Sequence, residues 1–184
     1  MMYRIDRIVL RRACMLVLLV GAMMLGTTYA ASSDFAQAKA AFDEANAAKN
    51  PQHPGYARAY EIWSNLAASG NGQAKYHLGI LHLYGLGGAV FDHIQGYDLI
   101  KASASGGYPQ AQAYVGVMHE KGNGLHFRKG DAEARSWYEK AAASGNCYAV
   151  RRLARAHATG ELGFVPDTDA SNSYRTERPG CFNS

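Results

Sequence analysis

The chain has little that is long and apolar. Its one such run, Ala13 to Leu25, spans 13 residues of 184, against about 20 for a helix that crosses a bilayer. Arg4, Arg7, Arg11 and Arg12 precede the run, and Thr28-Tyr29-Ala30 follows with small residues where a signal peptidase cuts. That layout predicts a secretory signal peptide over residues 1–30, cleaved after Ala30, in preference to a retained membrane anchor.

Excess charge is missing too. The full chain carries 19 Lys and Arg against 15 Asp and Glu. The first thirty residues take four arginines and Asp6, leaving fifteen basic against fourteen acidic residues and a net charge of +1. The mature chain therefore lacks the basic stripe that phosphate neutralisation needs, and nucleic acid is not expected as a partner. Cysteine is scarce as well, with three in all. Cys14 leaves with the leader; Cys147 and Cys181 stay. In an exported chain an even pair points to a disulfide, with two free thiols as the alternative. The bridge would stabilise by about 3–4 kcal/mol and hold a Pro- and Gly-containing tail.

Catalytic signatures are absent in the same way. There is no Ser-x-x-Lys, Ser-Asp-Asn, Lys-Thr-Gly or Gly-x-Ser-x-Gly. Leu86-Gly87-Gly88 and Gly122-Asn123-Gly124 are glycine-rich, but no strand precedes them and no Gly-Lys-Ser/Thr follows, so they read as loops. His119-Glu120 does not open a zinc-protease helix, because Asn123 stands where the second histidine belongs. The reading is a non-enzyme with no catalytic residue, no cofactor and no metal ligand.

What the sequence does contain is a repeat. Ala74-Lys75-Tyr76-His77-Leu78-Gly79, Ala111-Gln112-Ala113-Tyr114-Val115-Gly116 and Ala149-Val150-Arg151-Arg152-Leu153-Ala154 open three copies, offset by 37 and 38 residues. Each closes on a glycine six residues later: Gly85, Gly122 and Gly160. A fixed period of this size marks a solenoid, in which no unit buries its apolar face alone. The first helices are predicted over 72–84, 109–121 and 147–159, with apolar residues at i, i+4 and i+7: Ala74, Leu78, Leu81; Ala111, Val115, Met118; Ala149, Leu153, Ala156. The second helices are predicted over 56–69, 93–106 and 131–144. There Trp63, Ile100 and Tyr138 fill the space between layers, while Ala59, Gly96 and Ala134 let the helices approach. Asp92 with Gln95 forms a capping box, and Asp131 is a predicted N-cap. Gly79 and Gly116 sit inside helices, where a close neighbouring backbone accounts for them. An added helix from Asp34 to Lys49 caps the array over residues 31–54. The solenoid covers 55–160, and residues 161–184 read as an eroded fourth copy dissolving into a polar tail.

The pattern A-x-x-x-L-G-x-x-[YH]-x-x-G, its glycine-rich loop and the phrase Trp137-Tyr138-Glu139-Lys140-Ala141-Ala142 resemble the Sel1-like repeat, a longer relative of the tetratricopeptide repeat. The resemblance spans residues 55–160, with Ala154 replacing a glycine and His82, His119 and His157 replacing an aromatic residue. It implies an all-α, right-handed superhelix of helix pairs. It also implies an adaptor or scaffold whose partner is another protein or a peptide, exported to a Gram-negative envelope and most plainly periplasmic. The equivalent histidines, on helices about 10 Å apart, do not converge on a metal and read as packing residues.

A second face of the first helices fails to repeat. It carries Tyr76, Ile80, Leu83 and Tyr84, then Ala113, Val117, Glu120 and Lys121, then Tyr148, Arg151, Arg155 and Thr159. By similarity to tetratricopeptide arrays this face lines the concave groove. The candidate binding residues are Tyr76, Ile80, Leu83, Tyr84, Lys121, Arg151 and Arg155, with tyrosines anchoring one end and arginines engaging acidic groups at the other. Coverage of the apolar end by the N-terminal helix is the alternative. The expected function is a non-catalytic scaffold or regulator. The alternatives are an immunity protein that neutralises a delivered toxin, and an envelope enzyme acting on peptidoglycan or β-lactams.

Overall fold

A computed structural model describes residues 31–122, 124 and 126–183. The predicted signal peptide lies outside the described residues. Eight α-helices follow one another: α1 (31–48), α2 (Pro54–Ala68), α3 (Gly72–Tyr84), α4 (His93–Ser105), α5 (Pro109–Lys121), α6 (Asp131–Ala143), α7 (Cys147–Thr159) and α8 (Thr168–Glu177). Neighbours in sequence pack on each other, which makes a solenoid of helix pairs with no strand among the described residues.

Local chemistry sets the helix ends. The side chains of Asn71, Asp92, Asn146 and Asp167 accept backbone N–H bonds at the starts of α3, α4, α7 and α8. These bonds satisfy donors that a helix leaves open. Asp131 is the first residue of α6 and Gly130 its cap, one position earlier than the sequence reading placed it. At Gly85 and Gly160 the chain turns left-handed, with φ of 61° and 77°, a conformation that favours glycine.

The core forms three successive apolar clusters, each spanning adjacent helix pairs. Trp63, Ile100 and Tyr138 are fully buried, one in each cluster. At the N-terminal end Trp63 stacks on His77 with ring centroids 4.5 Å apart, and Phe42 of α1 lies 5.3 Å from the same indole. Helix α1 thus seals the array. Burial, aided by the Lys39 charge and opposed by Asp43, pushes His77 down to about 4, so the ring is neutral in the core near neutral pH.

The intrahelical glycines sit where α3 and α4, or α5 and α6, come closest. A Cβ on Gly79 would lie 2.7 Å from the Gly96 carbonyl oxygen, and one on Gly116 would lie 2.8 Å from the Tyr138 ring. Alanine at Gly79 would gain about 1 kcal/mol of helix propensity but incur an overpacking cost of about 1–3 kcal/mol. Gly79→Ala is expected to lower the urea midpoint, a net loss on the order of 1 kcal/mol. An unchanged or raised midpoint would show that this approach does not hold the pair together.

The C-terminal end differs from its sequence reading. Residues 168–177 form α8, which packs on α7 as the second helix of the fourth pair. Cys147, the first residue of α7, is joined to Cys181 by a disulfide with Cα atoms 4.9 Å apart. The Arg151 guanidinium donates to the Cys181 carbonyl at 2.7 Å, and that of Arg178 donates to the Ala142 carbonyl. Tyr174 and Phe182 pack against the third cluster. A segment too polar to fold by its own amphipathicity is thereby fixed by three long-range ties.

Candidate binding groove

Tyr76, Ile80 and Tyr84 recur at i, i+4 and i+8, which places them along one stripe of α3. A depression flanks the stripe on each side. The first, about 520 Å³, lies between α1, the segment after it and α3. Its walls are Phe42, Pro51, Tyr56, Ile80, Tyr84 and Leu86, with Asn46 and Lys49 as its polar members. The second, about 240 Å³, is lined by Tyr76, Gln110, Ala113, Tyr114, Val117, Asn146 and Tyr148, from α3, α5 and the start of α7. The two depressions share no lining residue and meet only at the α3 stripe between them; this tyrosine-lined strip of surface is the candidate groove.

The groove is aromatic and almost uncharged. The Tyr76 ring lies 5.5 Å from that of Tyr108 and 6.2 Å, edge-on, from that of Tyr114. Burial, reinforced by Tyr108 and Tyr84, raises the Tyr76 phenol above its ordinary value. Tyr114 is raised by burial and by Tyr97, Tyr84 and Tyr76. Both stay protonated near neutral pH and present O–H donors. Tyr84 and Tyr148 stand out at 66 % and 48 % exposure.

The predicted residues fare unequally. Tyr76, Ile80 and Tyr84 line the groove. Leu83 does not: it is buried and packs against Gly96, whose missing side chain leaves it room. Lys121 is exposed at the end of α5 and lines neither depression. Arg151 is tied to the tail through Cys181, and Arg155 faces Glu161 at 3.3 Å. Neither arginine lines the two depressions, although Arg155 stays 69 % exposed; Tyr148 and Asn146 line the second depression at that end. Sequence reasoning missed Tyr114 and Asn146 as lining residues. Tyr114 occupies the repeat position of buried His77 and ion-paired Arg152, and that variation was a usable signal.

Two further sets of contacts hold the groove helices in place. The ring Nδ1 atoms of His82 and His119 lie 3.0 and 3.1 Å from the carbonyls of Val90 and Arg128, in the loops that lead to α4 and α6. The carbonyls of His82, His119 and His157 accept from the N–H groups of Asp92, Gly130 and Asp167, the cap residues of the second helices. The backbone clasp repeats in all three copies, the rings of His82 and His119 reinforce it, and the ring of His157 packs on Phe164 instead.

The second set is an ion-pair network. Arg152 of α7 grips Glu120 of α5 with contacts of 2.8 and 3.1 Å, and binds Glu161 at 2.7 Å. Tyr138 of α6 donates to Glu120 at 2.7 Å. Burial would raise the Glu120 carboxyl, but the Arg152 and Tyr138 hydrogen bonds and the Arg152 charge outweigh it and hold it below its ordinary value. These groups bond to each other across three helices, a structural weld between pairs.

The Sel1 repeat family model matches residues 72–108 and 109–146, which are α3 with α4 and α5 with α6 plus the turns that follow. No match is found among curated proteins. Among solved structures, a Sel1 repeat protein from Oxalobacter formigenes is 28 % identical, with a TM-score of 0.61 over 69 % of this chain and 92 % of its own. A protective antigen of uropathogenic Escherichia coli strains, described as displaying an SLR fold, is 27 % identical with a TM-score of 0.56. That match covers 68 % of this chain but only 26 % of the antigen. An immunity protein from Pseudomonas aeruginosa, 24 % identical with a TM-score of 0.49 over 76 % of this chain and 52 % of its own, is too distant to carry an argument. Residues 72–146 thus match two Sel1 repeats, and the stacked helix pairs share the fold of solved Sel1-repeat proteins.

Proposed function

We propose that this chain is a non-catalytic scaffold or regulator that holds a segment of another protein in the tyrosine-lined groove. The observation that carries the reading is the outward stand of Tyr84 and Tyr148 over a groove built on rigid helices. Large amphipathic rings supply contact area at small entropic cost, which is why such residues anchor interfaces. Apart from Lys49 the lining is apolar or neutral, which suits seating a chain better than acid–base chemistry. The predicted leader and the disulfide support a place in the bacterial envelope, an oxidising compartment.

Affinity capture from envelope extracts tests this, with wild type compared to Tyr84→Ala and Tyr148→Ala. Tyr84 is mostly exposed and Tyr148 half exposed, with its ring 6.2 Å from that of Tyr138, so circular dichroism is recorded for both variants and should be unchanged. The same partner is expected to drop by about tenfold in both variants, as for an interface anchor worth more than 1 kcal/mol. Equal recovery by all three proteins would remove the groove from the function.

A further inference from the structure

We infer that the C-terminal tail, residues 178–183, is a redox-released latch at the α7 end of the groove. Opening it frees Arg151 to receive an acidic stretch of the partner, a deepening that rests on the peptide-binding reading above. The first argument is register. Tyr76 and Ala113 share one position of the repeat, and Ile80 and Val117 share the position one turn later. All four line the depressions. In the third copy the same two positions hold Arg151 and Arg155, four residues apart on one stripe of α7. Where the first two copies offer aromatic and apolar side chains, the third offers two guanidinium groups, whose fork fits a carboxylate.

The second argument is what the tail holds. Cys181 is bonded to Cys147, the first residue of α7, and its carbonyl accepts from Arg151 Nη1 at 2.7 Å. Cys147 and Arg151 also stand four residues apart, so both ties fall on one stripe. That carbonyl is an uncharged oxygen in the place of a partner's carboxylate oxygen, to which the bond would be roughly twice as strong. The disulfide keeps the weaker acceptor there, because a tethered group competes at a high effective concentration. Arg155 escapes the tail: it faces Glu161 at 3.3 Å and is 69 % exposed.

The third argument is release. Cys147 is partly buried, whereas Cys181 is only 7 % exposed, so an incoming thiolate meets the Cys147 sulfur first. A dithiol reductant opens the bond in two exchanges. Its first thiolate attacks Cys147 Sγ, and the Cys181 thiolate leaves and takes up a proton. Its second thiolate attacks the reductant's own sulfur in the mixed disulfide, and Cys147 leaves as a thiolate. The N-terminus of α7 favours that thiolate. The protein gains two thiols, and the reductant ends as a disulfide. The tail then keeps the Arg178 bond to the Ala142 carbonyl and the partly buried Phe182 ring. An acidic segment can now displace the Cys181 carbonyl from Arg151.

The test titrates the purified chain, oxidised or reduced with dithiothreitol, into a fluorescein-labelled ten-residue peptide of alternating Glu and Ala. A peptide with Gln in place of Glu is the control, and fluorescence anisotropy reads both. Reduction is expected to tighten the Glu peptide by about tenfold and to leave the Gln peptide unchanged. Cys181→Ser should match the reduced protein without reductant, and Arg151→Gln should erase the gain. Equal affinity before and after reduction, an equal gain for the Gln peptide, or a gain that survives Arg151→Gln overturns the inference. If the gain is absent while Tyr84→Ala and Tyr148→Ala lose the captured partner, the inference falls and the peptide-binding groove stands. If capture ignores both tyrosines, the groove falls and the latch with it.

Discussion

Glu120→Ala is expected to destabilise the protein by about 3 kcal/mol. The substitution removes the bidentate partner of Arg152 and the acceptor of the Tyr138 hydroxyl at one stroke. Arg152 is 11 % exposed, so its charge would be left largely buried with Glu161 alone beside it. A fully stripped buried pair loses about 3–5 kcal/mol, and the surviving Glu161 contact sets the effect at the low end. Urea denaturation reads the loss directly. The sign with pH follows from the depressed carboxyl. Its contribution is complete above the ordinary value of 4.5 and disappears as pH falls through the lower folded value. The wild-type stability curve should therefore fall more steeply below 4.5 than that of Glu120→Ala. Parallel curves would show that Glu120 is not held by these partners.

Reduction of the Cys147–Cys181 disulfide is expected to cost about 3–4 kcal/mol in the chain-entropy model, for a closed loop of 34 residues. The effect should be local before it is global. Helix α8 buries little apolar area of its own, with Ser171 its one fully buried side chain. Hydrogen exchange of the reduced protein should speed up first over α8 and the residues around Cys181. Protection in α3 and α4 should hold until the whole chain unfolds, as expected where stability is a sum over neighbouring units. Cys181→Ser should reproduce both results. Unchanged exchange in α8 after reduction would mean that Arg151 and Arg178 hold the tail without the bridge.

Much of this fold was legible in the residues because its rules are local. Asparagine caps open α3 and α7, Pro109 opens α5, and a glycine closes each, so their ends coincide with the sequence reading. Trp63, Ile100 and Tyr138 share one position in the period, and burial follows from that. What was not legible depends on contacts far apart in sequence. Leu83 lies near Tyr76 on the helical wheel, and only the absent side chain of Gly96 draws it inward. Helix α8 has weak amphipathicity, and its place is set by Cys147 and Arg151 of α7 and by its own cap residue Arg178, which reaches the Ala142 carbonyl of α6. Phe127 is fully buried although it comes from a loop, where no periodicity announces it. The groove was half visible. Its tyrosine end was read from α3, while the tie of Arg151 to the tail and the Arg155–Glu161 pair depend on residues thirty and six positions away that no helical pattern announces.

Site-specific photo-crosslinking tests the central claim most directly. A benzophenone side chain would be placed at Tyr84, at Tyr148 and, as the outward control, at exposed Ser136 on α6. Partner adducts are expected from positions 84 and 148 and not from 136. Adducts that form at 136 while 84 and 148 stay silent would place the partner on the second helices and contradict the groove.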